Sequence, residues 1–562
     1  MPIFKVGTDD FKKLRENGGY FVDKSLFIKE IIAGSDVLLL PRPRRFGKTL
    51  NLSMLRYFFA RSSEDRSHLF QDLAIASLPE VMAHQGQYPV IFLSLKDVKG
   101  EDWEECWARL RANITSLYLE HTYLQQTLPA VYQRDFEAII QGTGDHRVYG
   151  DSLKNLITFL HDYHQQPVVV LIDEYDSPMI EAWDKGYYRQ MADFMRSWLG
   201  GGLKPVEGAA IYRVVVTGIL RVARESIFSG LNNMKVCSML QPGKFADKFG
   251  FTQTEVDRLL VDFALPELAT PMREWYNGYD FGGVTIYNPW SVINCVDNYP
   301  QLPAPYWLNT ASNQLVHAEL ERGGMALQRD LEMLLAGEEL RYPILNTITF
   351  EDIGRDQEHI WSFLYYAGYL KAEAPSYDTL NPAILTYALK IPNIEVSLVY
   401  QQFVARYFAD QLHWKNTTVQ QWLHALLDGD WPRFEVLLQE MIENLFSCHD
   451  TGRYPEAVFH AFVLGLLANL RGIYDIQSNP ETGYGRADIL LRPRTERFPL
   501  GFVIEFKSLP ADGDVDQAIA GALAQIEAKH YADRLLESGV PAEQIRKLAV
   551  VVSGRRVKVW AG

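Results

Sequence analysis

Cysteine is scarce in this chain, with four in 562 residues, at Cys106, Cys237, Cys295 and Cys448. None forms a C-x-x-C pair and none stands at zinc spacing from a histidine, which excludes a disulfide scaffold and a zinc-finger type of site. Buried, reduced thiols are the expectation. Long apolar runs are missing too. No stretch approaches the roughly 18 residues of a membrane-spanning helix. The opening MPIFKVGTDDFKKLREN lacks a basic start followed by an apolar region. We expect a cytoplasmic protein with no membrane partner. Repeats, low-complexity tracts and Gly/Ser linkers are likewise absent. There is no excess of positive charge either: the formal net charge is -15, which excludes a protein that coats nucleic acid through bulk charge. A local metal site stays compatible with it, because such sites are built from carboxylates whose bound cations reverse the local field.

What is present reads as ordinary globular protein, 47% hydrophobic and 22% charged. At roughly 100 to 200 residues per domain, the chain divides into about three or four. In the first third, short apolar runs at Val37–Leu40, Ile91–Leu95, Val168–Ile172 and Val214–Thr217 alternate with amphipathic stretches, with a fifth candidate strand at Val236–Met239. That alternation predicts an α/β domain at 1–250, a parallel sheet covered by helices on both faces. From Phe251 the pattern becomes helical and aromatic-rich, read as a helical lid over 251–300 and a helical connecting domain over 301–452. Residues 453–562 form a further module. A helix at Glu456–Asn469 precedes strands at Tyr474–Ser478, Ala487–Leu491 and Phe502–Phe506, then a helix at about Val515–Leu535 and a strand near Leu548–Val552, in the order αβββαβ.

Two segments carry chemistry in the first domain. PRPRRFGKTLNLS, Pro41–Ser53, follows the strand VLLL and precedes apolar residues at helical spacing. This is the context of a P-loop, whose backbone N–H groups and helix N-terminus cradle phosphate. Arg42 stands where the GxxxxGK[ST] pattern has its first glycine. The loop residues Arg44, Arg45, Phe46, Gly47, Lys48, Thr49 and Leu50 are candidates for binding ATP. Gly47 permits close backbone approach, Lys48 reaches the β/γ phosphates and Thr49 holds Mg²⁺. The partner segment is PVVVLIDEYDSPM. There Asp173 is expected to hold Mg²⁺, and Glu174 to polarise the attacking water. Thr217, at the end of a third strand, is a candidate γ-phosphate sensor, with plain capping of the strand end as the alternative. Arg44 and Arg45 have three readings, as phosphate contacts, as an arginine finger offered to a neighbouring subunit, or as surface residues paired with acidic groups. Arg221 and Arg224 are alternative fingers.

The last module holds a second constellation. Asp488 heads one strand, and Glu505 and Lys507, two apart on the next, share a face. Charged residues in a buried strand are costly unless paired or metal-bound. Asp488, Glu505 and Glu456 are therefore candidate Mg²⁺ or Mn²⁺ ligands, with Lys507 positioning water or stabilising charge on a phosphodiester. A Glu505–Lys507 structural ion pair is the alternative. Gln525, Lys529 and Tyr531 on the later helix face the same side, and His460 lies one helical turn from Glu456.

The runs YFVDKSLFIKEII, RPRRFGKTLNLSML, VVVLIDEYDSPM, TGILRVARESIFSGLNN and WYNGYDFGGVTIYNPWSVIN, in this order over about half the chain, resemble the bacterial AAA-ATPase-like family that carries a C-terminal PD-(D/E)xK nuclease domain. The resemblance implies that RPRRFGKT is the usual form of the loop, and that Gln525 and Tyr531 match the QxxxxxY pattern of RecB-like nucleases. It implies an ATP-dependent or ATP-regulated, Mg²⁺- or Mn²⁺-dependent nuclease acting on nucleic acid, DNA in the first place, in a setting such as defence against foreign DNA. It also leaves room for a homo-oligomer. The alternative is a nucleotide switch that controls oligomer state or partner binding, with a nuclease-like fold that binds without cutting.

Overall fold

The computed structural model describes residues 3–204, 210–220, 233–307, 338–345, 357–373, 375–377, 384–400, 416–448, 473–478, 481–482, 485–486, 488–495, 497–510, 513–554 and 556–562, with isolated residues between these stretches. The chain forms two compact units, Met1–Glu319 with Arg341–Glu395, and Leu320–Leu340 with Val396–Gly562.

The first unit is built on a five-stranded sheet of β1 (Val37–Pro41), β2 (Val90–Ser94), β3 (Val168–Asp173), β4 (Ile211–Gly218) and β5 (Met234–Val236), in the order β2-β3-β4-β1-β5. Every pairing is parallel. Every residue of β1 and β3 is buried, as a parallel sheet covered on both faces requires. Because β4 lies between β1 and β3, Thr217 at its C-terminal end sits between the loop that follows β1 and Asp173 at the end of β3. Helix α1 (Lys48–Phe59) starts directly from that loop.

The segment read as a helical lid contains helices at Gln253–Asp262, Ala269–Tyr276 and α2 (Pro289–Asp297), and a small antiparallel sheet besides. In that sheet Val284–Tyr287 pairs with Phe251–Thr252 and Tyr279–Phe281. The hairpin comes from a two-residue turn at Gly282 and Gly283, both at positive φ (63° and 89°), where WYNGYDFGG alone reads as an aromatic-rich turn between helices. The region 301–452 was expected to be helical. Its described residues include helices, and also a small antiparallel sheet in which Leu385–Lys390 lies between Lys371–Ala372 and Ser376–Tyr377.

In the second unit a five-stranded sheet runs β6 (Tyr474–Ser478), β7 (Ile489–Pro493), β8 (Gly501–Leu509), β9 (Ile545–Ser553) and β10 (Arg556–Ala561), in that spatial order. Only β8 and β9 pair in parallel among them. One face packs against helices α3 (Asn416–Asp428) and α4 (Trp431–Cys448). There Trp422, Phe434, Leu438 and Met441 share a core with Phe502, Ile504 and Phe506. The other face meets α5 (Val515–Ala528), whose Ile519, Ala522 and Ile526 pack on Val503, Ala549 and Val551. Period-two alternation along β8 therefore sends Val503, Glu505 and Lys507 to the α5 side. Strand β10 was not read from the sequence, although RVKVW alternates. The helix expected over 515–535 breaks after α5, with His530 at φ 55° before a short second helix at Asp533–Glu537. Among the described residues, no helix is long and apolar enough to cross a membrane.

Candidate functional sites

The loop after β1 turns into α1 at Gly47, which caps the helix with φ 81°, a conformation that L-residues with a Cβ rarely adopt. The first N–H groups of α1 are thereby left facing outward, with the positive end of the helix dipole behind them. Lys48 is buried, and its Nζ donates to the Arg42 and Pro43 carbonyls at 3.0 and 2.8 Å. Burial lowers its pKa, against the raising effect of Glu174, Asp173 and Asp176.

Asp173 lies beside it, fully buried, with each carboxylate oxygen accepting one hydroxyl. Thr49 Oγ1 donates to Oδ2 and Thr217 Oγ1 to Oδ1, both at 2.6 Å. Burial pushes the Asp173 carboxyl up, and the two threonines pull it back down. Three elements distant in sequence are thus joined at one carboxylate, and Thr49 with Asp173 presents an oxygen pair of the kind that binds Mg²⁺. Glu174 follows at positive φ (49°) and accepts a hydrogen bond from Ser177 Oγ at 3.0 Å.

Of these groups, Gly47, Lys48, Thr49, Glu174 and Ser177 line a cavity of about 550 Å³. Arg44 and Arg45 are among its other polar residues, and Phe4, Val22, Phe251 and Ile293 among its apolar ones. Leu50 lines it as well, whereas the Phe46 ring is buried edge-on to Tyr279, with centroids 4.9 Å apart, so that Phe46 offers a ligand chiefly its backbone. Arg45 stands with its guanidinium 4.0 Å over the Trp290 ring, at positive φ (68°). Arg221 and Arg224 lie outside the described residues.

Arg42 has a different role from its neighbours. It is fully buried, donates to the Pro41 and Cys237 carbonyls at 2.8 Å and to that of Phe245 at 3.2 Å, and lies 5.1 Å from the Phe249 and Phe281 ring centres. Desolvation lowers its pKa to about 10. It ties the entrance of the loop to the chain after β5. Asp176 was also overlooked in the sequence. Buried at the start of the next helix, it accepts the Ile219 and Leu220 N–H groups at 2.8 Å each and pins the turn beyond Thr217. A fourth acidic or polar residue in DEYD carries no pattern that would single it out.

The second site lies on the α5 side of β8. Glu505 is 1% exposed; its Oε1 accepts from Lys507 Nζ at 3.0 Å, and its Oε2 is buried with no hydrogen-bond partner among the described residues. Burial and then the nearby Asp488 push its carboxyl up to about 7, against the pull of Lys507. Asp488 Oδ2 accepts the Phe506 N–H at 2.7 Å, which holds the two carboxylates on adjacent strands near each other. Lys507 Nζ also donates to Gln525 Oε1 at 3.1 Å, and Gln525 Nε2 to the Tyr531 hydroxyl at 3.1 Å. One chain of contacts therefore runs Glu505–Lys507–Gln525–Tyr531. Lys529 is exposed at the end of α5 and makes no part of it. Glu456 and His460 lie outside the described residues, among which no group of three metal-ligating side chains gathers. The donors present do fit a divalent cation: all are oxygens, and one is a buried carboxylate oxygen that lacks a partner.

Residues 5–228 match the family model described as predicted AAA-ATPase, and residues 454–561 that of the PD-(D/E)XK nuclease superfamily. Over 554 residues the chain is 28% identical to an uncharacterized protein of the vnfD 5′ region of Azotobacter chroococcum, covering 95% of this chain and 94% of that one. Among solved structures it is similar to a signal transduction ATPase with numerous domains, with a tetratricopeptide repeat sensor, from Pyrococcus horikoshii. The TM-score is 0.23 with 11% identity, and the match covers 93% of this chain and 58% of that one.

Proposed function

We propose that the chain, with its AAA-ATPase-like region followed by a PD-(D/E)XK nuclease-superfamily region, is an ATP-regulated, metal-dependent nuclease acting on DNA. The observation that carries this reading is the buried Glu505 carboxylate. A carboxylate with one oxygen lacking a partner among the described residues, beside a second carboxylate and a lysine, is an expensive arrangement for structure alone. It suits metal-assisted phosphodiester hydrolysis.

In the first unit the residues bind and orient. The N-terminus of α1 and Lys48 take the phosphates of ATP, the apolar residues of the cavity take the base, and Thr49 with Asp173 would hold Mg²⁺. Glu174 orients water toward the terminal phosphate, while Thr217 holds the Asp173 carboxylate in place. In the second unit Asp488 and Glu505 hold Mg²⁺ or Mn²⁺. Such an ion, when bound, lowers the pKa of a water and offsets charge on the scissile phosphate. Lys507, oriented by Gln525 and Tyr531, supplies a cation beside the reacting phosphate. A role in defence against foreign DNA belongs to this reading, as does assembly into a homo-oligomer.

The test is a cleavage assay on linear, circular and single-stranded DNA and on RNA, with Mg²⁺ or Mn²⁺, run with ATP, with a non-hydrolysable analogue and without nucleotide. Metal-dependent cutting of DNA whose rate changes with nucleotide is the expected result. No cutting of any substrate under any of these conditions contradicts the reading.

A further inference from the structure

Helix α2 reaches from the nucleotide cavity to the last residue of the first unit. Its first turn carries Trp290, which stacks on Arg45 of the loop, and Ser291, which is fully buried. Asn288 Oδ1 caps both, accepting the Trp290 N–H at 3.0 Å and the Ser291 N–H at 3.5 Å. The two residues therefore share one capped turn. Ser291 Oγ lies 2.9 and 2.7 Å from the two oxygens of Glu395 and donates to the nearer. Trp307 N–H donates to the same carboxylate at 2.8 Å, while Trp290 Nε1 donates to the Tyr306 carbonyl at 3.2 Å.

Glu395 ends the first unit; Val396 begins the next stretch of the second. The residues before it are seated as closely. Asn393 Nδ2 donates to the Asn277 carbonyl at 2.7 Å, and Gly278, at φ 99°, faces the Pro392 carbonyl so tightly that a Cβ would stand 2.1 Å from its oxygen. Glu395 is 0% exposed, and the titratable groups around it, Tyr276, Tyr279, Cys295 and Tyr306, are neutral. A carboxylate buried among hydroxyls and N–H groups is a costly way to fasten a chain. Unlike apolar packing, it is directional, so a small shift of its donors is felt.

We propose that α2 transmits nucleotide occupancy to the chain that enters the second unit: Arg45 exchanges the Trp290 ring for phosphate, the first turn of α2 shifts, and the Ser291–Glu395 contact passes the shift to residues 392–400. A guanidinium prefers the charge-assisted contact with phosphate to the face of an indole, which gives the exchange its direction. This inference rests on the reading of the chain as an ATP-regulated nuclease, since it supplies the regulation.

Hydrogen exchange of residues 392–400, followed by mass spectrometry with and without a non-hydrolysable ATP analogue and Mg²⁺, tests it without any cleavage. In the wild-type chain exchange there changes about fivefold or more on nucleotide addition. In Ser291→Ala and Glu395→Gln the change is lost while nucleotide affinity stays within about twofold of wild type, and Ser291→Thr, which keeps the hydroxyl, retains it. No nucleotide-dependent change in the wild-type chain overturns the inference. So does a full response in folded Ser291→Ala and Glu395→Gln. Should the wild-type chain cut no nucleic acid, the nuclease reading fails while the exchange result still decides the coupling.

Discussion

Thr49 and Thr217 donate to opposite oxygens of the same carboxylate, Asp173, at 2.6 Å each. Residues 168 positions apart thereby hold one acidic group in a single orientation, and only a strand order with β4 between β1 and β3 allows it. Removing the Thr217 hydroxyl frees Oδ1 in a buried setting. Thr217→Val is expected to lower ATP turnover by about 10- to 100-fold, with Thr217→Ser close to wild type, as read in a steady-state phosphate-release assay. Equal turnover of Thr217→Val and wild type argues against this role.

Lys48→Ala removes the ammonium that, on the proposed reading, meets the phosphates of ATP. Turnover is expected to fall by at least about 100-fold with the melting temperature essentially retained, because Lys48 itself lines the cavity and its buried ammonium is costly to keep charged. Phosphate release together with thermal unfolding checks both parts.

Arg42 occupies the place of the first P-loop glycine. Its three carbonyl contacts and full burial mean that Arg42→Gly, which restores the common loop pattern, destabilises the chain by about 2–4 kcal/mol rather than improving it. Denaturant unfolding of the variant measures the loss.

Glu395 titrates at about 7 in the fold against 4.5 for a free glutamate, because burial disfavours its charged form. The folded state therefore holds the proton more tightly than the unfolded one. Its contribution is fully present below about pH 4.5 and is lost as pH rises through about 7. The loss is of order 3 kcal/mol. Glu395→Gln carries no such titration, so its stability relative to wild type is expected to increase between pH 5 and pH 8 by about that amount. Parallel unfolding curves across this range check the sign.

Much of the first site was legible because its signals are local. A buried strand ending in Gly-Lys-Thr and another ending in Asp-Glu each specify a loop at a strand's C-terminal edge, and the parallel sheet then brings the loops together. Val503, Glu505 and Lys507 fell on one face for an equally local reason, the two-residue period of a strand. What escaped was set by tertiary partners. Nothing in PRPRRFGKT distinguishes Arg42, buried among three carbonyls, from Arg45, stacked on a tryptophan 245 positions away. Asp176 and Glu395 were overlooked because a buried carboxylate is defined by the N–H and hydroxyl groups it meets, and those come from distant segments. The Gly282–Gly283 hairpin was missed because a short, aromatic-rich strand pair resembles a turn between helices.

Coupling of two chemistries in one chain, one governing the other, is decided by measuring DNA cleavage and ATP hydrolysis together in wild type, Lys48→Ala and Lys507→Ala. With Mg²⁺ or Mn²⁺, the wild-type chain is expected to cut at a rate that depends on ATP. Lys507→Ala should lose cutting by about 100-fold or more while hydrolysing ATP normally, and Lys48→Ala should cut at a rate that no longer responds to ATP. Cleavage by Lys507→Ala at the wild-type rate, or an ATP response that survives in Lys48→Ala, would contradict it.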